Sequence, residues 1–125
     1  MAKSACLSCL IVGAIMLSGA SRAGALDWPA VGRLDSGSSV CSAVLIAPDR
    51  VLTAVHCVSL ADGGPFPAEK IVFRAGRALG EEVEQSVARR VVLHPDYLPR
   101  AEAGSRLASD IALVELLIPL DVQSI

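Results

Sequence analysis

The sequence lacks several features that would mark a function at once. It has no basic surplus: 11 Lys and Arg stand against 13 Asp and Glu, for a net charge of −2 at pH 7. With no cationic stripe along the chain, nothing points to nucleic acid as a partner. There is no convincing amphipathic helix of any length, only a stretch at residues 54–60 that could form one helical turn. There is no internal repeat and no low-complexity segment. Long apolar runs are also missing. The one candidate, "CLSCLIVGAIMLSGA" at residues 6–20, falls short of the roughly 20 residues that span a bilayer. Cysteine is sparse, with four in 125 residues.

What is there begins with that apolar run. Lys3 precedes it and small residues follow, which is the pattern of a secretory signal peptide over residues 1–25. Ala23-Gly24-Ala25 is the better cleavage site and Ser21-Arg22-Ala23 a second one. Cutting after Ala25 removes Lys3 and Arg22 but no acid, so 100 of the 125 residues remain, with a net charge of about −4. That length suits one small domain, residues 26–125, exported to the periplasm or the medium with no membrane attachment once the leader is gone. Cys6 and Cys9 fall in the leader, and no strand–helix context makes their C-x-x-C a redox motif. Cys41 and Cys57 are left. Two cysteines in an exported domain most simply form one disulfide. Closing a loop of that size contributes about 3 kcal/mol in the chain-entropy account.

The 26–125 segment reads as short strands punctuated by turns. Strands are expected at 30–34, 40–47, 51–53, 70–76, 84–93 and 110–116. "DSGSS" (35–39) reads as a hairpin tip, "PDR" (48–50) as a turn, "DGGPFP" (62–67) as a loop and residues 94–109 as a long irregular loop. About six strands at this spacing, without helices, place the chain in the all-β class, as a barrel or sandwich.

Two polar residues stand out at strand ends. His56 closes the apolar run "LTAVHC", and Asp110 opens "DIALVEL". A charge at the mouth of a buried strand is unfavourable unless a partner meets it. A histidine becomes a base for a hydroxyl nucleophile when a carboxylate fixes its tautomer. A lone histidine here would be structural, and a lone Asp110 would be a cap on the strand; the two together are a candidate base and its orienting group.

These stretches resemble the histidine and aspartate motifs of the trypsin-like (chymotrypsin-family) serine proteases. Other segments follow in that family's order. "WPAVGRL" (28–34) is similar to its first strand and "CSAVLIAPDRVLTAVHC" (41–57) to its cysteine strand, turn and histidine strand. "HPDY" (94–97) is similar to the segment before its aspartate loop, and "IPLDVQSI" (118–125) to the start of its interbarrel linker. The resemblance implies a six-stranded antiparallel Greek-key barrel, the first of the family's two. It implies His56 as general base, Asp110 as its partner, backbone amides at 54–56 helping to hold Asp110, and a Cys41–Cys57 bond pinning the histidine turn. It implies a protein or peptide substrate and no cofactor or metal.

The family's nucleophile lies in a Gly-Asp-Ser-Gly-Gly stretch of the second barrel, with the oxyanion hole and specificity pocket, and these 125 residues contain none of it. The expectation is a chain that lacks the serine and is inactive alone. "LDSGSS" (34–39) imitates the serine motif but precedes the histidine, so Ser36 is read as part of a hairpin tip and not as a nucleophile. The family's Ile-Val-Gly-Gly terminus is also absent, with only Leu26-Asp27 between the cleavage site and Trp28. Glu81, Glu82 and Glu84 fall where some members bind calcium but read as a solvated face, and His94, before Pro95, reads as a loop residue. Two other arrangements stay open: a stand-alone secreted barrel that binds protein without catalysis, and a half-enzyme completed by a separate chain.

Overall fold

The computed structural model describes residues 29–37, 39–76, 84–100 and 103–125. The leader (1–25), the cleavage sites, Trp28, Glu81 and Glu82 lie outside the described residues. Six strands form one sheet: β1 Val31–Ser36, β2 Ser39–Ala47, β3 Arg50–Thr53, β4 Ile71–Ala75, β5 Glu84–Leu93 and β6 Ala112–Leu116. Every pairing is antiparallel, and the order β1-β2-β3-β6-β5-β4 closes on itself because β4 also pairs with β1. β1, β2 and β3 follow one another through tight turns, and the chain then crosses to lay β4 beside β1. That is the Greek-key order. Closure leaves no sheet edge unpaired.

Alternation explains which residues fill the barrel. In β4, Ile71, Phe73 and Ala75 point inward and are buried, while Val72 and Arg74 lie between them on the outer face. Leu34 of β1, Leu45 of β2, Val51 of β3 and Val114 and Leu116 of β6 complete the interior with Phe73 at its bulkiest point. Side chains of this size contribute roughly 1.5–3 kcal/mol each on full burial. The fit around Phe73 is set by Gly32. A Cβ there would stand 2.2 Å from the Arg74 carbonyl oxygen and 2.8 Å from the Phe73 ring. At the β1–β2 tip Gly37 takes φ +61°, the positive value that a two-residue hairpin loop calls for at its first position.

One departure from the sequence expectation bears on the site. The stretch 94–109 is not wholly irregular: its last part is a helix, α2, at Ala103–Ser109. Gly104, Arg106, Leu107 and Ala108 on it are exposed and Ser109 is buried, so among the described side chains no apolar residue forms the buried stripe by which an amphipathic helix is recognised. The hairpin tip falls where the sequence places it: Ser36 ends β1 and pairs with Ser39 across the turn. Ser36 is 5% exposed and its hydroxyl donates to the Cys57 carbonyl oxygen at 2.5 Å. A second, four-residue helix, α1 at Val55–Val58, falls where the sequence allows one helical turn.

Candidate active site

β3 delivers the histidine. After Thr53 the chain leaves the sheet through Ala54 in an extended conformation and enters α1. Val55, Cys57 and Val58 turn into the core, so the remaining residue of that turn, His56, is directed outward with its side chain 63% exposed. Cys57 is bonded to Cys41 of β2, with the Cα atoms 6.1 Å apart. The bridge and the three buried side chains hold the turn from two directions. The Cys41 and Cys57 sulfurs lie within 4.8 Å of a His56 ring nitrogen. Sulfurs bonded to each other offer no thiolate, so this cluster lacks the donors of a metal centre.

β6 and α2 deliver the carboxylate. Asp110 sits between the end of α2 and the start of β6, two residues before Ala112. Thr53 of β3 is directly opposite Ala112, so the chain leaving β3 and the chain entering β6 meet at one end of the barrel. There the His56 Nδ1–H donates to Asp110 Oδ2 at 2.5 Å, and the His56 backbone N–H donates to Asp110 Oδ1 at 3.0 Å. Both carboxylate oxygens are therefore held by one residue. The Asp110 side chain is 13% exposed. Burial alone would raise its pKa. The hydrogen bonds from the His56 amide and ring, the charge of a protonated His56 and the Val55 amide outweigh that and hold it below the usual carboxylate range.

With Nδ1 protonated and donating to Asp110, the Nε2 lone pair of a neutral imidazole is left to accept a proton. Tyr97, Arg106 and Leu107 join His56 and Asp110 around an open recess of about 210 Å³. Of these, Tyr97 belongs to the "HPDY" motif, but nothing in the sequence marks Arg106 or Leu107, because α2 itself carries no readable pattern. His94 acts locally, within its own loop, where its Nδ1 accepts the Asp96 N–H at 3.1 Å. Glu84 is engaged as well, accepting the Asp121 N–H at 2.8 Å, so it is not simply a solvated acid.

Among the described residues no helix is long and apolar enough to cross a membrane. The family described as Trypsin matches residues 17–124. The chain is similar to serine protease 56 of Homo sapiens, 35% identical over 94 residues that make up 74% of this chain and 14% of the relative. It is also similar to serine protease 56 of Mus musculus, 33% identical over 103 residues, 82% of this chain and 16% of the relative. The chain thus spans about one-seventh of the length of the curated relatives it matches.

Proposed function

The chain belongs to the trypsin family of serine proteases, and from that premise we propose that it supplies the histidine and aspartate of a Ser-His-Asp triad in an endopeptidase. The observation that carries this reading is the pair of bonds from His56, ring and amide, to the two oxygens of Asp110. His56 takes the proton from the serine as that oxygen attacks the peptide carbonyl, then gives it to the leaving amine. Asp110 fixes the tautomer and stabilises the imidazolium.

The serine, the oxyanion donors and the main specificity pocket come from a second barrel, carried on the same chain or on a separate one. The 125 residues alone do not turn over peptide: the base has no nucleophile, and removing even one oxyanion donor typically lowers the rate about 10²–10³-fold. Residues 1–25 direct export, residues 26–125 form the first barrel, and the Cys41–Cys57 bond belongs to the secreted form. Substrates are proteins or peptides.

The test begins with the transcript around the Ile125 codon, which either continues into a serine-bearing barrel or does not. The assembled protein is then assayed on a mixed peptide library beside its His56→Ala variant. A drop of about 10⁴–10⁶ in kcat with the variant supports the assignment. Equal turnover by both proteins, or turnover by residues 26–125 alone that His56→Ala abolishes, contradicts it.

A further inference from the structure

We propose that Arg106 makes the recess beside His56 selective for an acidic side chain of the substrate. This rests on the protease reading and deepens it, naming a substrate feature. At about 210 Å³ the recess is smaller than the roughly 300–1,000 Å³ of sites that enclose a whole small ligand. It has room for a side chain. A substrate must cross His56 for its scissile bond to reach the base, so a residue flanking that bond presents its side chain to the space between His56, Tyr97 and Leu107.

The charges in the recess are unequal in their partners. Asp110 lines it, but both of its oxygens are occupied by His56. Arg106 lines it too, and its Nη1 reaches only the Pro99 carbonyl oxygen, at a long 3.4 Å. Among the described residues no carboxylate stands within ion-pair distance of Arg106, nor of Arg50 and Arg100, which do not line the recess, whereas Arg33, Arg74, Arg89 and Arg90 all have one. A guanidinium presents a planar fork of donors that matches a carboxylate in two parallel bonds. Tyr97 and Leu107 supply apolar walls for the methylenes of the incoming side chain. The features together fit Glu or Asp better than their amides, and Arg106 acts as a specificity residue with no part in the bond-breaking step.

An ion pair at an exposed site is worth about five-fold in selectivity. It fades as salt shortens the screening length, to about 3 Å at 1 M. The experiment uses the assembled, serine-bearing protein and matched peptides carrying Glu or Gln, and Asp or Asn, at each position flanking the cleaved bond. The readout is the ratio of kcat/KM for acid over amide, at low salt and in about 1 M salt. The wild-type protein should favour the acid about five-fold at one position, with the ratio falling toward one in high salt. Arg106→Gln should bring the ratio to one, Arg106→Lys should restore part of it, and Arg106→Glu should invert it. Cleavage with no acid preference at any position, or a preference that survives Arg106→Gln, overturns the proposal while leaving the protease reading intact. No cleavage of any peptide overturns both.

Discussion

Asp110→Asn isolates the function of the carboxylate. Asp110 receives two N–H groups from His56, one from the backbone at 3.0 Å and one from the ring at 2.5 Å. An asparagine of the same shape has one accepting oxygen and one donating nitrogen. If its oxygen keeps the His56 amide, its NH₂ faces Nδ1 and forces that nitrogen to be the acceptor. The ring proton then moves to Nε2, and the lone pair needed for catalysis is lost. Losing the correct tautomer in a triad lowers kcat about 10⁴-fold, or roughly 5.4 kcal/mol of transition-state stabilisation. The ground-state bond is worth far less. His56 is mostly exposed, so solvent screening holds that contribution to about 1 kcal/mol of stability. Two assays separate these effects. Nitrogen NMR of His56 in residues 26–125 should show Nδ1–H in the wild type and Nε2–H in Asp110→Asn, in a barrel that remains folded. In the assembled protein the same substitution should collapse kcat with little change in KM. An unchanged tautomer, or a kcat within about ten-fold of wild type, refutes the reasoning.

Three further outcomes follow from the packing and charge. Phe73 is fully buried at the bulkiest point of the interior, so Phe73→Ala should lower the stability in urea by about 3–5 kcal/mol; a loss under about 1 kcal/mol would mean that the interior collapses around the gap. Replacing Cys41 and Cys57 together by Ala removes a cross-link of sequence separation 16 and should lower stability by about 3 kcal/mol, and non-reducing peptide maps of the wild type should contain the linked pair; two alkylatable thiols in secreted material contradict this. Glu115 bonds to Arg90 at 2.6 Å and Arg89 at 3.1 Å, and the Arg90 bond, against some burial, is the chief reason its pKa lies below the ordinary value. Its contribution is present above the ordinary carboxylate pKa and is lost as pH falls through the lowered one. Glu115→Gln should therefore be less stable than wild type near neutrality, and the gap should close in acid. A gap that is constant with pH is the contrary result.

The strands are legible in the sequence because their signals are local. Turn residues bracket them, while which face of "KIVFRAG" turns inward is settled only in the fold, where Ile71, Phe73 and Ala75 are buried. β5 runs over the same residues, 84–93, that its pattern predicts. His56 and Asp110 can be singled out because polar residues at the ends of apolar strands need partners. Closure of the barrel by β1 and β4 cannot be read from pattern, since that pairing joins distant segments, such as Leu34 and Phe73, with no local mark of register. Arg89 and Arg90 look like the charged end of a strand. In the fold a bulge between Ala88 and Arg90 sets both arginines against Glu115, which is 8% exposed. α2 escapes a reading of the sequence because Arg106, Leu107 and Ala108 face solvent, and Arg106 and Leu107 escape with it. Propensity without a burying surface leaves little pattern to detect.

The central claim, that His56 is the base of a serine nucleophile, is tested most directly by labelling that serine. A fluorophosphonate probe reacts with a serine hydroxyl only when a base removes its proton. The assembled wild-type protein should be labelled at one serine outside residues 1–125, and His56→Ala should reduce the labelling rate by at least about 10³-fold while the barrel keeps its fold. Labelling of the wild type and His56→Ala at the same rate, or at Ser36, would contradict the account.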